Sequence, residues 1–503
     1  MSGRILLGPL LGLESDTLYT VCFLVSKDTK DPQVVVNDNA VAAKRIQKTP
    51  SGGVFWRAKI TLPARKKVGS FHRYRIESAG SVLLDPRKRS EWKFWVPGDS
   101  EEPRIAYASC NGFASGDAKT KLDEPYEMWK RMVKAHEREP FALLVMGGDQ
   151  IYADELWHSP SRVPSVEDWS KLSRGERKES PVKPSLQNEL DSFYENLYIR
   201  HWNQEDMSMM MASVPSVMMW DDHDIFDGWG SYPNDLQTCD VYKEIFKAAR
   251  RYFELFQIRS KENTTLLNPD RKHYSFALRF RNYGILGIDN RSDRTETVVM
   301  SVQNWSDTKG WIRKNSGRVR TLLVLSAVPV VYRKFSMSEA AFDSTPWQEQ
   351  LTDDIRDHWR SRYHEGERMK LIMNLLKFNA PGNPGHIKRI ILSGDVHVGC
   401  MGIIRDHHQR KQKRIYQVVS SAIVHPAPSR FYWWGICAGS NDDPESLEGG
   451  QITTELLEPY GSSDKFLRTR NYAILKEGDD NKLWITWVCE DGRTPEYPIA
   501  GSA

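Results

Sequence analysis

The chain has 503 residues, 40% hydrophobic and 11% aromatic, which is too long for one simple core and leads us to expect two globular domains. A formal net charge of +4 with 27% charged residues gives no electrostatic case for nucleic acid or an anionic membrane as the main partner. The 6 cysteines are scattered without a CxxC pair, which excludes a dense disulfide framework and fits free thiols in a reducing compartment.

The short apolar run Ile5 to Leu13 is broken by Pro9 and followed by acids, with no small-x-small cleavage site, so it lacks the makeup of a secretory signal. No run is long enough to span a bilayer, and a cytoplasmic protein is the expectation. The stretches TLYTVCFLV (17–25), GGVFWRAKITL (52–62) and SFHRYRIE (70–77) are β-branched and aromatic, separated by turn residues. They predict an N-terminal β-sandwich of immunoglobulin or fibronectin type over 1–98. VPGDSEEP (96–103) reads as a linker to a second domain over 103–503.

From 104 onward strands and helices alternate, which predicts a layered α/β (α+β) architecture. RIAYASC (104–110), FALLVMGG (141–148), SVPSVMMW (213–220), VRTLLVLSAVPVV (319–331) and HIKRIILSGDVHVG (386–399) read as strands. DEPYEMWKRMVKAHERE (123–139) and DVYKEIFKAARRYFELFQI (240–258) read as amphipathic helices. The polar stretch 161–185 reads as an exposed insertion, 273–289 as a hairpin, and 471–491 as a hairpin with a Gly-Asp-Asp turn.

Four of these apolar strands end in residues able to hold a cation: Cys110 and Asn111; Asp149 and Tyr152; Asp221, Asp222 and His223; Asp395 and His397. Alone, each ending also fits a turn, a helix cap or a small buried thiol; their agreement carries the inference. Crowded carboxylates repel and lose hydration unless a cation or donors offset them. Carboxylates suit hard cations, a thiolate and an imidazole suit iron or zinc, and a tyrosinate at neutral pH needs a cation as acidic as ferric iron. This mixture suggests two metals with Asp149 between them, and paired metals clamp the attacking and leaving oxygens of an in-line displacement by a metal-bound hydroxide.

GGDQIYAD, WDDHD and LSGDVH resemble the GD, GNH[DE] and GHxH motifs of metallophosphoesterases, and ASCN in place of the usual DxH is most similar to the alkaline phosphatase D-like family. GPLLGLESDTLYTVCFLV also resembles that family's N-terminal β-sandwich, so the likeness covers most of the chain. The resemblance implies a metallophosphoesterase-type β-sandwich core flanked by helices. It also implies ferric iron on Cys110 and Tyr152, a bridging Asp149, and calcium as the companion ion. Asp222 matches the metal-binding Asn of GNH. His223 matches its His, which faces the scissile phosphate as acid or charge stabiliser. Asp395 and His397 match the ligands of the last motif, and Asp221 is an additional ligand or supports one. The implied activity is hydrolysis of phosphomonoesters or phosphodiesters.

This sequence departs from the family in two ways. It has no twin-arginine export signal, and LLVLSAVPVV lacks a VxxH-type histidine, which favours a hard second ion held by oxygens. Asn111, Arg291 and Arg294 are candidate contacts for the substrate phosphate, with a surface ion pair to Asp289 or Asp293 as the plainer role for the arginines. RDHHQRKQKR (405–414) reads as a solvated hairpin tip that could instead meet a polyanion. RFYWWG (430–435) reads as core packing, or as an aromatic wall beside the site. A dedicated phosphodiesterase on nucleotides, lipids or polymers, and a non-catalytic scaffold with a vestigial site, remain open at this level.

Overall fold

The structure, a computed structural model, describes residues 3–62, 67–120, 122–157, 161–335, 358–379, 386–408 and 412–502. Two large sheets share one core. At the centre of the first, Ile105–Ala108, Leu143–Gly147 and Ser216–Met219 run parallel, in register from Ile105 with Leu143 and from Leu144 with Ser216. At the centre of the second, Tyr283–Ile288, Thr321–Ser326, Lys388–Ser393 and Lys413–Val419 run parallel. The 3.3 Å rise and two-residue period of a strand explain how the second sheet serves two cores. Leu323 and Leu325 join the core that also holds Tyr107 and Val145, while the out-of-phase Leu322 and Val324 pack with Trp305, Ile312, Leu371 and Leu375. Those last four come from the helices Val302–Asn315 and Glu365–Leu376. Covered on both faces, these strands carry unbroken apolar runs such as Leu322 to Leu325 and Ile390 to Leu392.

Both predicted hairpins form: Phe276–Phe280 pairs antiparallel with Tyr283–Ile288, and Asn471–Glu477 with Leu483–Cys489. The helices Glu127–Arg138 and Asp240–Phe253 lie where the apolar spacing places them. The insertion at 161–185 contains the short helices Pro164–Ser170 and Arg174–Glu179, the second opened by a Ser173–Glu176 capping box. Two further helices, Leu186–Trp202 and Glu205–Ser213, carry no clean apolar stripe because they are buried on more than one side.

The N-terminal strands do form a sandwich, with Tyr19 of one sheet packing on Phe94 of the other at 5.1 Å between ring centroids. One of its sheets, however, is a continuation of the first large sheet. Ile5–Leu13 pairs parallel with Ser216–Met219 at Gly12 and Ser216, and antiparallel with Leu18–Val25. The same hydrophobic core runs from Ile5 to Ile499. The expected boundary at 98–103 therefore marks no gap in the packing. Tyr74 reinforces the junction by donating its hydroxyl to the Ala212 carbonyl at 2.6 Å.

Candidate metal centre

The parallel strands end on one side of the core, where loops collect functional groups. Cys110, Asp149, Asp395 and His397 follow these ends with φ of 54°, 51°, 69° and 52°, the left-handed region that side-chain-bearing residues rarely adopt. Strain of this kind costs on the order of 1–3 kcal/mol per residue and persists where surrounding packing enforces it. Gly148, at φ 110°, is the hinge that makes room: a Cβ there would sit 3.1 Å from Asp221 Cβ.

The turns bring the expected ligands together. One ligand atom each from Cys110, Asp149 and His397 lie within 4.8 Å of one another, as do atoms from Asp149, Asp222 and His223, and from Asp221, Asp222 and Asp395. Asp149 belongs to the first two groups and Asp222 to the last two. Tyr152 joins the first through its hydroxyl, 3.1 Å from His397 Nε2, and its ring stacks on His223 at 4.2 Å.

The electrostatics of this cluster favour a cation. Asp149 is 1% exposed, and neither of its carboxylate oxygens has a hydrogen-bond partner among the described residues. Burial, then repulsion from Asp221, holds its carboxyl well above the usual range. Burial likewise raises the Cys110 thiol and the Tyr152 phenol. His397 is pushed well below the ordinary imidazole value by burial, then by His425 and His223. Without a cation these groups retain protons or stay neutral, and binding one would expel those protons. Buried acids, a thiol, a phenol and a neutral imidazole form the donor set that two cations of unlike hardness would use.

Arg291 supplies part of the offset from within the protein. It is not at the surface and does not form an ion pair with Asp289 or Asp293: fully buried, it donates from Nε to Asp221 Oδ1, lies 3.4 Å from Asp222 Oδ1 through Nη2, and donates to the Trp229 carbonyl at 3.0 Å. Asp224, raised to about 7 by burial, ties the loops together. It accepts from the backbone of Asp221 at 2.9 Å and Gln150 at 3.2 Å, and from Gln257 Nε2 at 2.8 Å.

His223 is built differently. Burial opposes its charge, but Asp154, Asp222 and Asp227 together raise it well above the ordinary value. Its Nδ1–H donates to Asp154 Oδ2 at 2.7 Å, and the other Asp154 oxygen accepts from the Asp227 backbone at 2.8 Å. The ring is thus fixed with one nitrogen engaged.

Two candidate substrate contacts also have partners within the protein. The Asn111 amide accepts from Trp129 Nε1 at 2.8 Å and donates to the Gln150 carbonyl at 3.3 Å, a structural role. Arg294 is buried, with Nη2 at 3.4 Å from His364 Nδ1. Three neighbours of the centre are not singled out by the sequence reading. Besides Asp154, these are Ser421, whose Oγ is 2.9 Å from Cys110 Sγ and accepts from the His397 backbone at 3.0 Å, and His425, which stacks on His397 at 3.7 Å. Asp154 does fall inside the run GGDQIYAD, and its spacing from Asp149 is the one signal that could have marked it.

The sequence profile of the family described as PhoD related phosphatase matches residues 88–349 and 344–436. The chain belongs to the PhoD related phosphatase family. The solved structure of PhoD superposes with a TM-score of 0.60 at 15% identity, covering 96% of this chain and 86% of that one, which shows a common mixed α/β fold. The uncharacterized protein YGR266W of Saccharomyces cerevisiae is 24% identical over 447 residues, or 71% of this chain. The matched region covers 63% of that relative, so the chain spans less than two thirds of its length.

Proposed function

We propose that this member of the PhoD related phosphatase family is a metal-dependent phosphoric ester hydrolase acting on phosphomonoesters or phosphodiesters. The observation that carries the reading is Asp149: it is shared by two donor groups and its oxygens have no hydrogen-bond partner among the described residues, in a family of phosphatases. Cys110, Asp149, Tyr152 and His397 would hold ferric iron. Asp149, Asp221, Asp222 and Asp395 would hold a harder ion such as calcium. When bound, such a pair supplies Lewis-acid activation of water and of the phosphoryl oxygens.

The chain's own residues do the rest. Arg291 offsets the charge of Asp221 and Asp222 and fixes them in place through its buried ion pairs. Asp154 holds His223 protonated and oriented. The ring can then stabilise charge that builds on the phosphoryl oxygens, or hand its Nε2 proton to the leaving oxygen. Cys110, Asp149, Asp221 and Asp222 are buried, and low surrounding polarity strengthens each of these interactions.

The test is metal analysis of purified protein alongside hydrolysis of a panel of aryl phosphate monoesters, diesters and nucleotides. We expect bound iron, an absorption band from tyrosinate to iron, and turnover of at least one ester class. Protein that binds no metal and hydrolyses nothing after reconstitution with iron and calcium would overturn the reading in favour of a non-catalytic scaffold.

A further inference from the structure

The loop 420–425 follows the strand Lys413–Val419 and is stitched by its backbone to the end of Ile105–Ala108. Ile423 donates its amide to the Ser109 carbonyl at 3.0 Å, and Val424 and His425 donate theirs to the Cys110 carbonyl at 3.3 and 3.2 Å. Asn471 secures the same loop, donating its amide to the Ala422 carbonyl at 2.8 Å and its Nδ2 to the Ser421 carbonyl at 3.1 Å. Ser109, Cys110, Ser421 and Asn471 are all fully buried, so the hydroxyl groups here must find partners within the protein.

The direction of each hydroxyl bond follows from an inventory of one proton and two lone pairs. Ser109 Oγ lies 3.4 Å from Cys110 Sγ but gives its proton to the Ser420 carbonyl at 2.9 Å, so it offers the sulfur only lone pairs. Ser421 Oγ accepts from the His397 amide at 3.0 Å, and its other partner among the described residues is Cys110 Sγ at 2.9 Å. A sulfur bound to a cation has lost its own proton and can only accept. The Ser421 proton then belongs on that contact. The same hydroxyl anchors the backbone of His397, whose φ of 52° needs support from its surroundings.

We propose that Ser421 is a positioning residue for the thiol side of the centre: its hydroxyl donates to the Cys110 sulfur while a lone pair holds the His397 amide, so one side chain fixes two ligands and sets how much charge the sulfur passes to its ion. The inference rests on Cys110 and His397 as ligands in the reading above, and not on which ester is cleaved. Hydrogen bonds to a cysteine sulfur tune the metal it binds, and groups that orient ligands are worth about 10–100-fold in metal affinity. A donor aimed at the sulfur draws charge back from the ion and leaves it a stronger Lewis acid. Burial away from water strengthens that pull.

The experiment loads full-length wild type, Ser421→Ala and Ser421→Thr with Co(II) alone. It reads the absorption band from sulfur to cobalt and the affinity for the titrated ion. Hydrolysis of aryl phosphate esters by iron- and calcium-loaded protein is measured in parallel. Ser421→Ala is expected to move the band to longer wavelength, because the sulfur loses its donor, and to weaken Co(II) binding by about tenfold or more. Ser421→Thr keeps a hydroxyl and is expected to stay with the wild type in both. A serine that only held the loop would lower affinity and leave the band in place, and that result would overturn the inference. So would the absence of any sulfur-to-cobalt band in the wild type, which removes Cys110 from the ligand set. Should Ser421→Thr not fold, the comparison of Ser421→Ala with the wild type decides alone. A shifted band in protein that hydrolyses no ester would leave the role of Ser421 intact and sink the hydrolase reading. Hydrolysis with an unshifted band would do the reverse.

Discussion

Two places in this molecule bury charge, and they are completed in opposite ways. Beside the N-terminal strands, Glu14 accepts from Arg57 Nη2 on one oxygen, and on the other from Thr264 Oγ1 at 2.8 Å and Thr264 N at 3.1 Å. Arg259, 4% exposed, donates to the Leu11 carbonyl at 2.9 Å and to Ser216 Oγ at 2.6 Å. Apart from Arg57 Nε, these donors and acceptors meet within the protein, and Arg259 staples Ile5–Leu13 to Ser216–Met219. At the other place, Asp149 is as deeply buried, yet Arg291 reaches Asp221 and Asp222 and leaves Asp149 to something else. Burying a carboxylate is tolerable only with partners. A closed network signals architecture, and an open one signals a ligand.

Four substitutions sharpen or break this contrast. The largest effect is expected of Asp149→Asn: metal content should fall and ester turnover should drop to background. In protein stripped by a chelator the same change should raise the melting temperature at neutral pH, because it removes the cost of keeping a buried carboxyl protonated there. A stripped variant melting below the stripped wild type would show that Asp149 is held by contacts within the chain. His223→Ala should slow turnover by about 10²–10⁴-fold while bound metal is retained, as befits a proton donor. Loss of metal in that variant would make His223 a ligand, a role its place beside Asp149 and Asp222 also allows. On the closed side, Arg57→Ala should cost about 3–5 kcal/mol in urea unfolding, since it strands Glu14, with turnover per folded molecule unchanged. A cost below about 1 kcal/mol would mean that water reaches the pair. The smallest effect belongs to Tyr74→Phe, which removes one hydrogen bond to Ala212 and should cost about 1 kcal/mol by the same unfolding measurement.

The strand ends carrying Cys110, Asp149, Asp221 to His223, Asp395 and His397 were legible because an apolar run that stops at an acid is a local pattern, and the structure gathers those ends. Partnerships across long separations left no such pattern. Ser421 meets Cys110 across 311 positions, and His425 meets His397 only because a loop after the strand Lys413–Val419 returns to the centre. For Arg291 the sequence offered a phosphate contact or an ion pair with its sequence neighbours Asp289 and Asp293, whereas its partner Asp221 lies 70 positions away. The aromatic run at 430–435 was visible, but composition cannot say which helical face meets solvent. Domain texture misled in a similar way: the linker-like 96–103 marks a change in pattern while the core continues beneath it.

Because Gly12 pairs with Ser216, the N-terminal strands cover one rim of the sheet that carries the acids. A fragment begun at residue 103 would uncover the edge of Ser216–Met219 where Gly12 now pairs, together with the apolar core that the N-terminal strands cover, a surface open to another chain. Such a truncation is expected to self-associate and precipitate instead of yielding a smaller working enzyme. In this protein the first hundred residues act as a permanent shield for a sticky border.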